Sequence, residues 1–179
     1  MTRIVLSLVI ILAASVALAQ HPQPYAGQQS RGIKALSEQE TADLLAGRGM
    51  GLARAAELNS YPGPVHALEM ASALGLNSEQ VMALEDQKRR MAAAAMALGQ
   101  KIVAAERDFD RMFAERRIDP AALQARSEEI GLLQGQLRAV HLATHLETRA
   151  ALTEAQVRRY DELRGYGSGA APPAHQRAH

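Results

Sequence analysis

One five-residue phrase occurs twice in this sequence and marks the start of a helix each time. Residues 76–80 are Leu-Asn-Ser-Glu-Gln, and residues 152–156 are Leu-Thr-Glu-Ala-Gln. Each is a capping box: the Asn or Thr side chain accepts a hydrogen bond from a backbone N–H of the first turn, and the Gln side chain accepts from the N–H of the cap residue. A looser copy at 36–40, Leu-Ser-Glu-Gln-Glu, has Glu in place of Gln. The sequence therefore predicts three helix starts.

Between the two phrases lie two long runs in which apolar or small residues recur at alternating steps of three and four. This spacing places them on one side of a helix, as in the seam of packed helices. The first predicted helix runs from Ser78 to about Arg117, and the second runs to about Ala151. Between them, Asp119 is a good cap and Pro120 favours the first helical position. The seam residues are Val81, Leu84, Met91, Ala95, Leu98, Ile102, Ala105, Phe109, Met112, Leu123, Ile130, Leu133, Leu137, Val140 and Thr144.

These features predict an all-α fold built on one long antiparallel helical hairpin with shorter flanking helices. Folding the chain at Asp119 brings the two phrases together at the open end of the hairpin. The flanking helices are predicted at about 37–46, 52–58, 65–74 and 154–163. Good helix formers dominate the composition, and only 3% of residues are aromatic. Because a core of Ala, Leu and Met is thin, we expect a homodimer to supply further burial.

The two ends of the chain differ from this helical part. Residues 1–19 begin with a positive charge, continue as an apolar run and end in Ala-Leu-Ala, which is typical of a secretory signal peptide. Residues 20–36 are rich in Gln, Pro and Gly and are predicted to form a flexible leader. The helical domain is assigned to 37–165, and 166–179 to a disordered tail. The protein is therefore expected to be periplasmic, and attached to the membrane only if the N-terminal segment is retained.

Charge and cysteine content exclude several classes of function. The sequence has 20 Lys and Arg against 19 Asp and Glu, and loss of the signal peptide removes Arg3 and leaves the mature chain formally neutral. A neutral, exported chain is a poor candidate for nucleic-acid binding. Since there is no cysteine, the sequence excludes a disulfide framework and thiolate metal sites.

The phrases, the hairpin and the signal peptide together resemble the Spy/CpxP family of Gram-negative periplasmic stress proteins. The resemblance covers residues 74–163; the second phrase fits the family's Leu-Thr-x-x-Gln pattern fully, and the first has Asn77 in place of Thr. It implies a small all-α protein, often a cradle-shaped dimer, that holds partly unfolded clients or reports envelope stress. One branch of the family binds divalent metal ions through His and carboxylate side chains. The part from 37 to 74 matches nothing in the family pattern.

Two histidines near the second phrase are the main candidates for a metal site. His141 and His145 stand at i and i+4, so their rings lie on one side of the predicted helix, about 6 Å apart. Zn(II), Ni(II), Co(II) and Cu(II) favour such ligands. By the hairpin pairing, Met91 and Met96 lie at the same height on the opposite helix. The open alternative is a pair of solvated histidines at the edge of the hairpin.

The remaining ligands of such a site are less clearly indicated by the sequence. His66 is the third candidate, because it begins a predicted helix and could supply another arm. Glu69 and Glu85 are weak candidates, the latter because it lies far from His145 along the helix axis. The tail histidines, His175 and His179, are predicted to be incidental.

Nothing in the sequence predicts an enzyme. The His-Leu-Ala-Thr-His run at 141–145 lacks the Glu after the first His that a zinc protease uses as general base. The Gly-x-Gly-x-Gly run at 47–51 fits no nucleotide-binding motif and is interpreted as a helix break. No nucleophile has a credible base near it.

Two functions that work by binding therefore remain. In the first, the protein is metal-responsive, in heavy-metal sensing or resistance, through the histidine pair. In the second, it is an ATP-independent chaperone or stress-signalling adaptor with no metal role, whose partners are unfolded envelope proteins or an inner-membrane signalling protein. For the second, Lys and Arg stems beside Met and Phe side chains on the first long helix offer a mixed surface for apolar segments. The sequence slightly favours the metal-responsive function.

Overall fold

The structure is a computed structural model that describes residues 23–166. The predicted signal peptide, the tail from residue 167 onward, and His175 and His179 in that tail lie outside these residues. The all-α prediction is confirmed, since the described part of the chain contains helices and no β-strand. The helices are α1 Glu38–Leu45, α2 Arg54–Glu57, α3 Pro64–Glu69, α4 Ala71–Leu74, α5 Ser78–Ala114, α6 Pro120–Ala151 and α7 Glu154–Arg164.

The chain divides into two units, one up to Ser30 and one from Arg31 onward. Within the described part of the first, residues 23–30 form turns, in which the N–H of Ala26 donates to the carbonyl of Gln23. The seven helices of the described residues all belong to the second unit.

All three predicted capping boxes are present. The Gln80 N–H donates to Asn77 Oδ1 at 2.8 Å, and the Gln156 N–H donates to Thr153 Oγ1 at 3.2 Å. Ser37 caps α1 in the same way through Glu40. These local bonds explain why the predicted and observed starts of α1, α5 and α7 agree within a residue.

Local hydrogen bonds and backbone geometry set where α5 ends and where α6 begins. Asp119 accepts from the N–H of Ala122 at 2.8 Å and starts α6. The end of α5 comes at Ala114, three residues before the predicted end, because Arg116 adopts a left-handed conformation with φ 54°. The N–H of Arg117 then bonds back to the carbonyl of Met112 at 2.9 Å, which satisfies one of the free carbonyls at the helix end.

The predicted helix at 65–74 is divided in two in the structure. Met70 leaves helical geometry, with φ −105° and ψ 17°, and separates α3 from α4. The apolar spacing continues through both pieces, so the sequence pattern did not reveal the break. Gly75, with φ 61°, then ends α4 before the first phrase.

Apolar side chains gather in two clusters. One contains Ile33, Leu44, Ala95, Ile102, Val103 and Leu137, and the other contains Ala67, Leu74, Leu84 and Tyr160. The first cluster depends on Gly99, because a Cβ there would lie 1.9 Å from the carbonyl oxygen of Leu44. The backbones of α1 and α5 therefore touch at this point, which only glycine permits.

The packed unit begins earlier than the sequence indicated. Ile33, placed by the sequence in a flexible leader, is only 6% exposed and belongs to the first cluster. The Lys34 ammonium also binds the carboxylate of Asp110 at 3.1 Å. Residues 31–36 are therefore part of the packed unit, and one isolated apolar residue among polar neighbours was too weak a signal to show it.

Polar contacts join the first half of α5 to the last half of α6. Thr148 Oγ1 donates to Gln87 Oε1 at 3.0 Å, and the Arg90 guanidinium binds Glu147 at 2.8 Å. Farther along, Ile102 and Val103 on α5 share a cluster with Leu137 on α6. Higher residue numbers on α5 thus meet lower numbers on α6.

The two copies of the phrase contact each other directly. Gln80 Nε2 donates to Gln156 Oε1 at 2.8 Å, and Gln156 Nε2 donates to Gln80 Oε1 at 3.0 Å. Each of these oxygens also accepts from the N–H of its own cap residue, Asn77 or Thr153. The starts of α5 and α7 are therefore held together by a pair of amides that serve both helices.

Across residues 23–166, no helix combines the length and the apolar character that crossing a bilayer requires.

Candidate functional site

The three histidines chosen from the sequence line one cavity. It has a volume of about 490 Å³ and lies between α2, α3 and α6. His141 and His145 enter from α6, His66 from α3 and Met91 from α5. His141, His145 and Met91 therefore lie around the same cavity, whereas Met96, which the sequence placed at the same height, does not line it.

His141 lies deep in the wall of this cavity. Its side chain packs under the backbone of Gly49, the residue is only 3% exposed, and its Nε2 atom is buried without a hydrogen-bond partner. Burial lowers the pKa of the His141 imidazole below its usual value, and the nearby His145 lowers it further. The ring is therefore neutral at physiological pH. The alternative of a solvated histidine at a helix edge is wrong for His141.

His145 is fixed by the backbone that follows α2. Its Nδ1 lies 2.7 Å from the carbonyl oxygen of Tyr61, and since a carbonyl only accepts, Nδ1 carries the hydrogen. In the neutral ring, Nε2 then keeps its lone pair free. Gly63 makes this placement possible, because a Cβ there would lie 2.9 Å from His145 Nε2.

His66 occupies the more open side of the cavity. Its side chain is 41% exposed, and its Nδ1 lies 3.0 Å from Glu69 Oε2. This hydrogen bond lowers the pKa of the Glu69 carboxyl. Glu69 therefore orients His66 and does not join the cavity itself. The other weak candidate, Glu85, is directed to Lys88 at 3.5 Å and plays no part here.

Glu57 is a cavity residue that the sequence did not reveal. Its Oε1 accepts from the Tyr160 hydroxyl at 2.5 Å and lies 3.3 Å from Arg164 Nε. Its Oε2 is buried without a hydrogen-bond partner and lies 3.8 Å from His145 Nδ1. No sequence pattern pointed to Glu57, because its importance comes from contacts with α6 and α7, far away in the chain.

The glycine-rich run that precedes α2 forms part of the cavity wall. Its interpretation as a helix break is confirmed, since Gly47 and Gly51 have φ of 65° and 77°. The run also brings Gly49 within 3.8 Å, measured from an ideal Cβ, of the His141 ring. It both ends α1 and covers a histidine.

Four buried polar atoms in the described chain lack a hydrogen-bond partner, and three of them belong to residues of this cavity. These are Glu57 Oε2, His141 Nε2 and Arg164 Nε. A buried polar atom without a partner costs about 1–3 kcal/mol. Such a concentration is typical of a place where a ligand or water completes the bonding.

The cavity does not contain a complete ligand set for a metal ion. Within residues 23–166, no three His, Asp or Glu side chains lie close enough together to hold one. The chain as a whole matches no protein-family model, no curated protein and no solved structure. The features that bear on function are therefore the cavity and the sequence pattern.

Proposed function

We propose that this protein is a non-enzymatic, periplasmic stress protein of the Spy/CpxP type that responds to a divalent transition metal through His141 and His145. The observation that carries the proposal is the buried, unpartnered Nε2 of His141 in the cavity that also contains the free Nε2 of His145. Both rings stand one helical turn apart on α6. The resemblance of the two phrases to the family supports the same function.

The chemistry of the cavity suits a borderline metal ion. Zn(II), Ni(II), Co(II) and Cu(II) bind neutral imidazole, and a histidine that ligates a metal usually donates its other N–H to a carbonyl or carboxylate. His145 has this arrangement with Tyr61, and His66 has it with Glu69. The pair on α6 supplies two nitrogens, and water supplies the further ligands, since His66 does not lie close enough to complete a set of three.

We also propose that α5 and α6 form an antiparallel hairpin and that two copies of the chain associate as a homodimer. The contacts Gln87–Thr148 and Arg90–Glu147 support the hairpin. Leucines left exposed on α6 support the dimer, since Leu132 is 63% and Leu146 is 58% exposed.

Calorimetric titration of the metal-free mature chain with each of the four ions tests the metal function. We expect binding well tighter than millimolar in the wild type and its loss in His141→Ala/His145→Ala. A His175→Ala/His179→Ala variant is the matched control, because it removes the same number of imidazoles from the tail. Binding no tighter than millimolar, or binding that the first double variant leaves intact, would overturn the proposal.

A second function, the chaperone or adaptor, is favoured by one observation. Apolar side chains stay exposed on the long helices, among them Met82 at 65% and Phe113 at 52%. Flexible Met and exposed apolar surface suit weak binding of varied unfolded segments. In this case, stoichiometric protein slows the aggregation of a denatured client without added metal, and Met82→Lys/Phe113→Lys weakens the effect. No delay of aggregation would remove this alternative.

A further inference from the structure

The segment that begins with the last residue of α2 is held from two sides. This segment, residues 57–63, contacts α7 through Ser60, whose hydroxyl donates to Asp161 Oδ2 at 2.6 Å, and through the bond between Glu57 and the Tyr160 hydroxyl. It contacts α6 through the Tyr61 carbonyl, which accepts from His145. The same short stretch of backbone thus touches one histidine of the proposed metal pair and the helix that begins with the second phrase.

The two oxygens of Glu57 face these two sides separately. Oε1 lies toward α7, where the Tyr160 hydroxyl donates to it and the Arg164 guanidinium lies beside it. Oε2 lies toward His145, at 3.8 Å from Nδ1, without a hydrogen bond of its own. Both side chains are largely shielded from water, with 12% exposure for His145 and 13% for Glu57. Charges on them therefore interact more strongly than they would at the surface.

We infer that Glu57 couples occupancy of the histidine pair to the docking of α7. The inference rests on the proposed metal function, and Glu57 acts in it as a positioning residue. A cation held at His145 Nε2 would add positive charge beside the ring and polarise its Nδ1–H, which would draw the unpartnered Oε2 closer. Because Oε1 accepts a hydrogen bond from the Tyr160 hydroxyl, a Glu57 carboxylate held more firmly by His145 also holds α7 more firmly in place.

The neighbouring charges do not replace this contact. Arg164 lies on the Oε1 side of Glu57, and the guanidinium of Arg54, which also lines the cavity, lies 3.2 Å from the point where a Cβ on Gly51 would be. Asp161 is negative and accepts a hydrogen bond from Ser60. Among the residues that the structure describes around Oε2, His145 is the group that a bound cation would polarise.

Coupling of this kind must work in both directions. If metal strengthens the docking of α7 by a given factor, then weakening that docking lowers the affinity for metal by the same factor. Tyr160 is 0% exposed, has its ring in the second apolar cluster and does not line the cavity. A change at Tyr160 that weakens metal binding therefore reports coupling and not the loss of a ligand.

Hydrogen exchange of the wild-type chain, with and without saturating Zn(II) or Ni(II), is the first test. We expect amides of 154–166 to exchange at least about fivefold more slowly with metal, which is the lower end of typical coupling. Amides of 104–114, at the far end of α5, serve as the internal control and stay unchanged. If calorimetry shows that metal binds and 154–166 does not respond, the coupling is wrong and the metal function stands. If no metal binds, both are wrong.

Metal titration of Tyr160→Phe is the second test. We expect the affinity of Tyr160→Phe for Zn(II) or Ni(II) to fall about fivefold or more, and Glu57→Gln to bind metal with a similarly reduced affinity and without metal-dependent protection of 154–166. Tyr25→Phe, at a tyrosine that is 77% exposed, is the matched control and binds as the wild type does. A folded Tyr160→Phe variant with unchanged affinity would overturn the coupling. If that variant does not fold, Glu57→Gln and the wild-type exchange data decide.

Discussion

Among single residues, Gly63 matters to the site through the side chain that it lacks. It lets the backbone lie directly against the His145 ring, since a Cβ there would lie 2.9 Å from Nε2, whereas a Cβ on Gly49 would make an ordinary contact of 3.8 Å with His141. Gly63 does not need the freedom of glycine at positive φ, because its φ is −88°. What matters at this position is the missing Cβ, which leaves room for the imidazole.

Gly63→Ala tests this requirement. The new Cβ would lie 2.8 Å from His145 Cε1, so the ring must shift and its bond to Tyr61 must weaken. We expect a stability loss of about 1–3 kcal/mol in urea unfolding, and metal affinity about tenfold weaker by calorimetry, equivalent to about 1.4 kcal/mol.

The control for this change is Gly135→Ala on α6, where an added Cβ meets nothing within 4 Å. It should bind metal normally and gain up to about 1 kcal/mol of helix stability. Equal metal affinities in the two variants would show that the close approach of Gly63 has no role in the site.

Tyr160 gives the protein a predictable response to alkali. Burial, helped by the bond to the Glu57 carboxylate, raises the pKa of Tyr160 well above its usual value of 10.0. Above that pH the unfolded chain loses the phenol proton and the folded chain keeps it, so stability falls as pH rises. We expect a loss of about 1.4 kcal/mol per pH unit above pH 10 from this residue.

The measurement is urea unfolding of the wild type and Tyr160→Phe at about pH 9 and about pH 11. Lys, Arg and the other tyrosines contribute equally to both proteins, so the difference between their slopes isolates Tyr160. The variant should lose less stability over this interval. Parallel slopes would mean that the Tyr160 proton is not retained by the fold.

At the scale of secondary-structure elements, the helices differ in how far local sequence determines them. The starts of α1, α5, α6 and α7 were predictable, because caps are local and each needs only two or three residues. The division at Met70 and the left-handed turn at Arg116 were not predictable, since Met is not typical of a helix break and Arg is not typical of a left-handed conformation. Apolar spacing located the long helices and left their ends within a few residues.

The crossing of α1 and α5 depends on a single glycine. Gly99→Ala would place a Cβ 1.9 Å from the Leu44 carbonyl, and since backbone cannot yield as a side chain does, α1 must move away. We expect a cost of about 3 kcal/mol or more in thermal or urea unfolding.

Gly131→Ala on α6 is the matched helical control, because nothing lies within 4 Å of its added Cβ. It should be neutral or stabilising by up to about 1 kcal/mol. If both variants unfold alike, α1 is not packed on α5 in solution.

The two amides that join α5 to α7 can be measured with a double-mutant cycle. Gln80→Ala and Gln156→Ala each remove the bond to the cap N–H and the shared amide bonds, so their combined effect should be smaller than the sum of the single effects. We expect a coupling of about 0.5–3 kcal/mol from urea unfolding of the four proteins.

Gln39→Ala paired with Gln156→Ala provides the reference, because Gln39 contacts Asp43 on its own helix. That pair should be additive within about 0.5 kcal/mol. Additive effects in the Gln80 and Gln156 cycle would mean that the two helix starts form independently.

For the whole molecule, the sequence predicted the class of fold and three residues that share a cavity, and it missed Glu57 and the segment that covers the cavity. Pairing the long helices was enough to bring His141, His145 and Met91 together. The burial of His141 and the role of Glu57 come from residues 46–63, which fold back over α6 through contacts without local periodicity. Ile33 was missed for the same reason.

The exposed leucines of α6 allow a test of the proposed dimer. If the exposed leucines of α6 form the dimer contact, Leu132→Glu/Leu146→Glu should sediment as a monomer at concentrations where the wild type is a dimer. Gln134→Glu, on the opposite side of the same helix, adds charge without removing apolar surface and should stay dimeric. A wild type that is monomeric at all concentrations would contradict the proposed dimer.

The contact between Gln80 and Gln156 also explains why both phrases have Gln where the capping box of α1 has Glu. The capping box of α1 contacts no second box, so its third helical residue, Glu40, needs only to accept a hydrogen bond from the N–H of the cap. Gln80 and Gln156 must also each donate a side-chain N–H to the other. Glu could not replace either of them, because a carboxylate has no hydrogen-bond donor. A change to Glu in either phrase would set a carboxylate against a carbonyl oxygen. Among sequences built on this plan, Asn, Thr and Ser can therefore interchange at the cap, whereas the two glutamines can change only together.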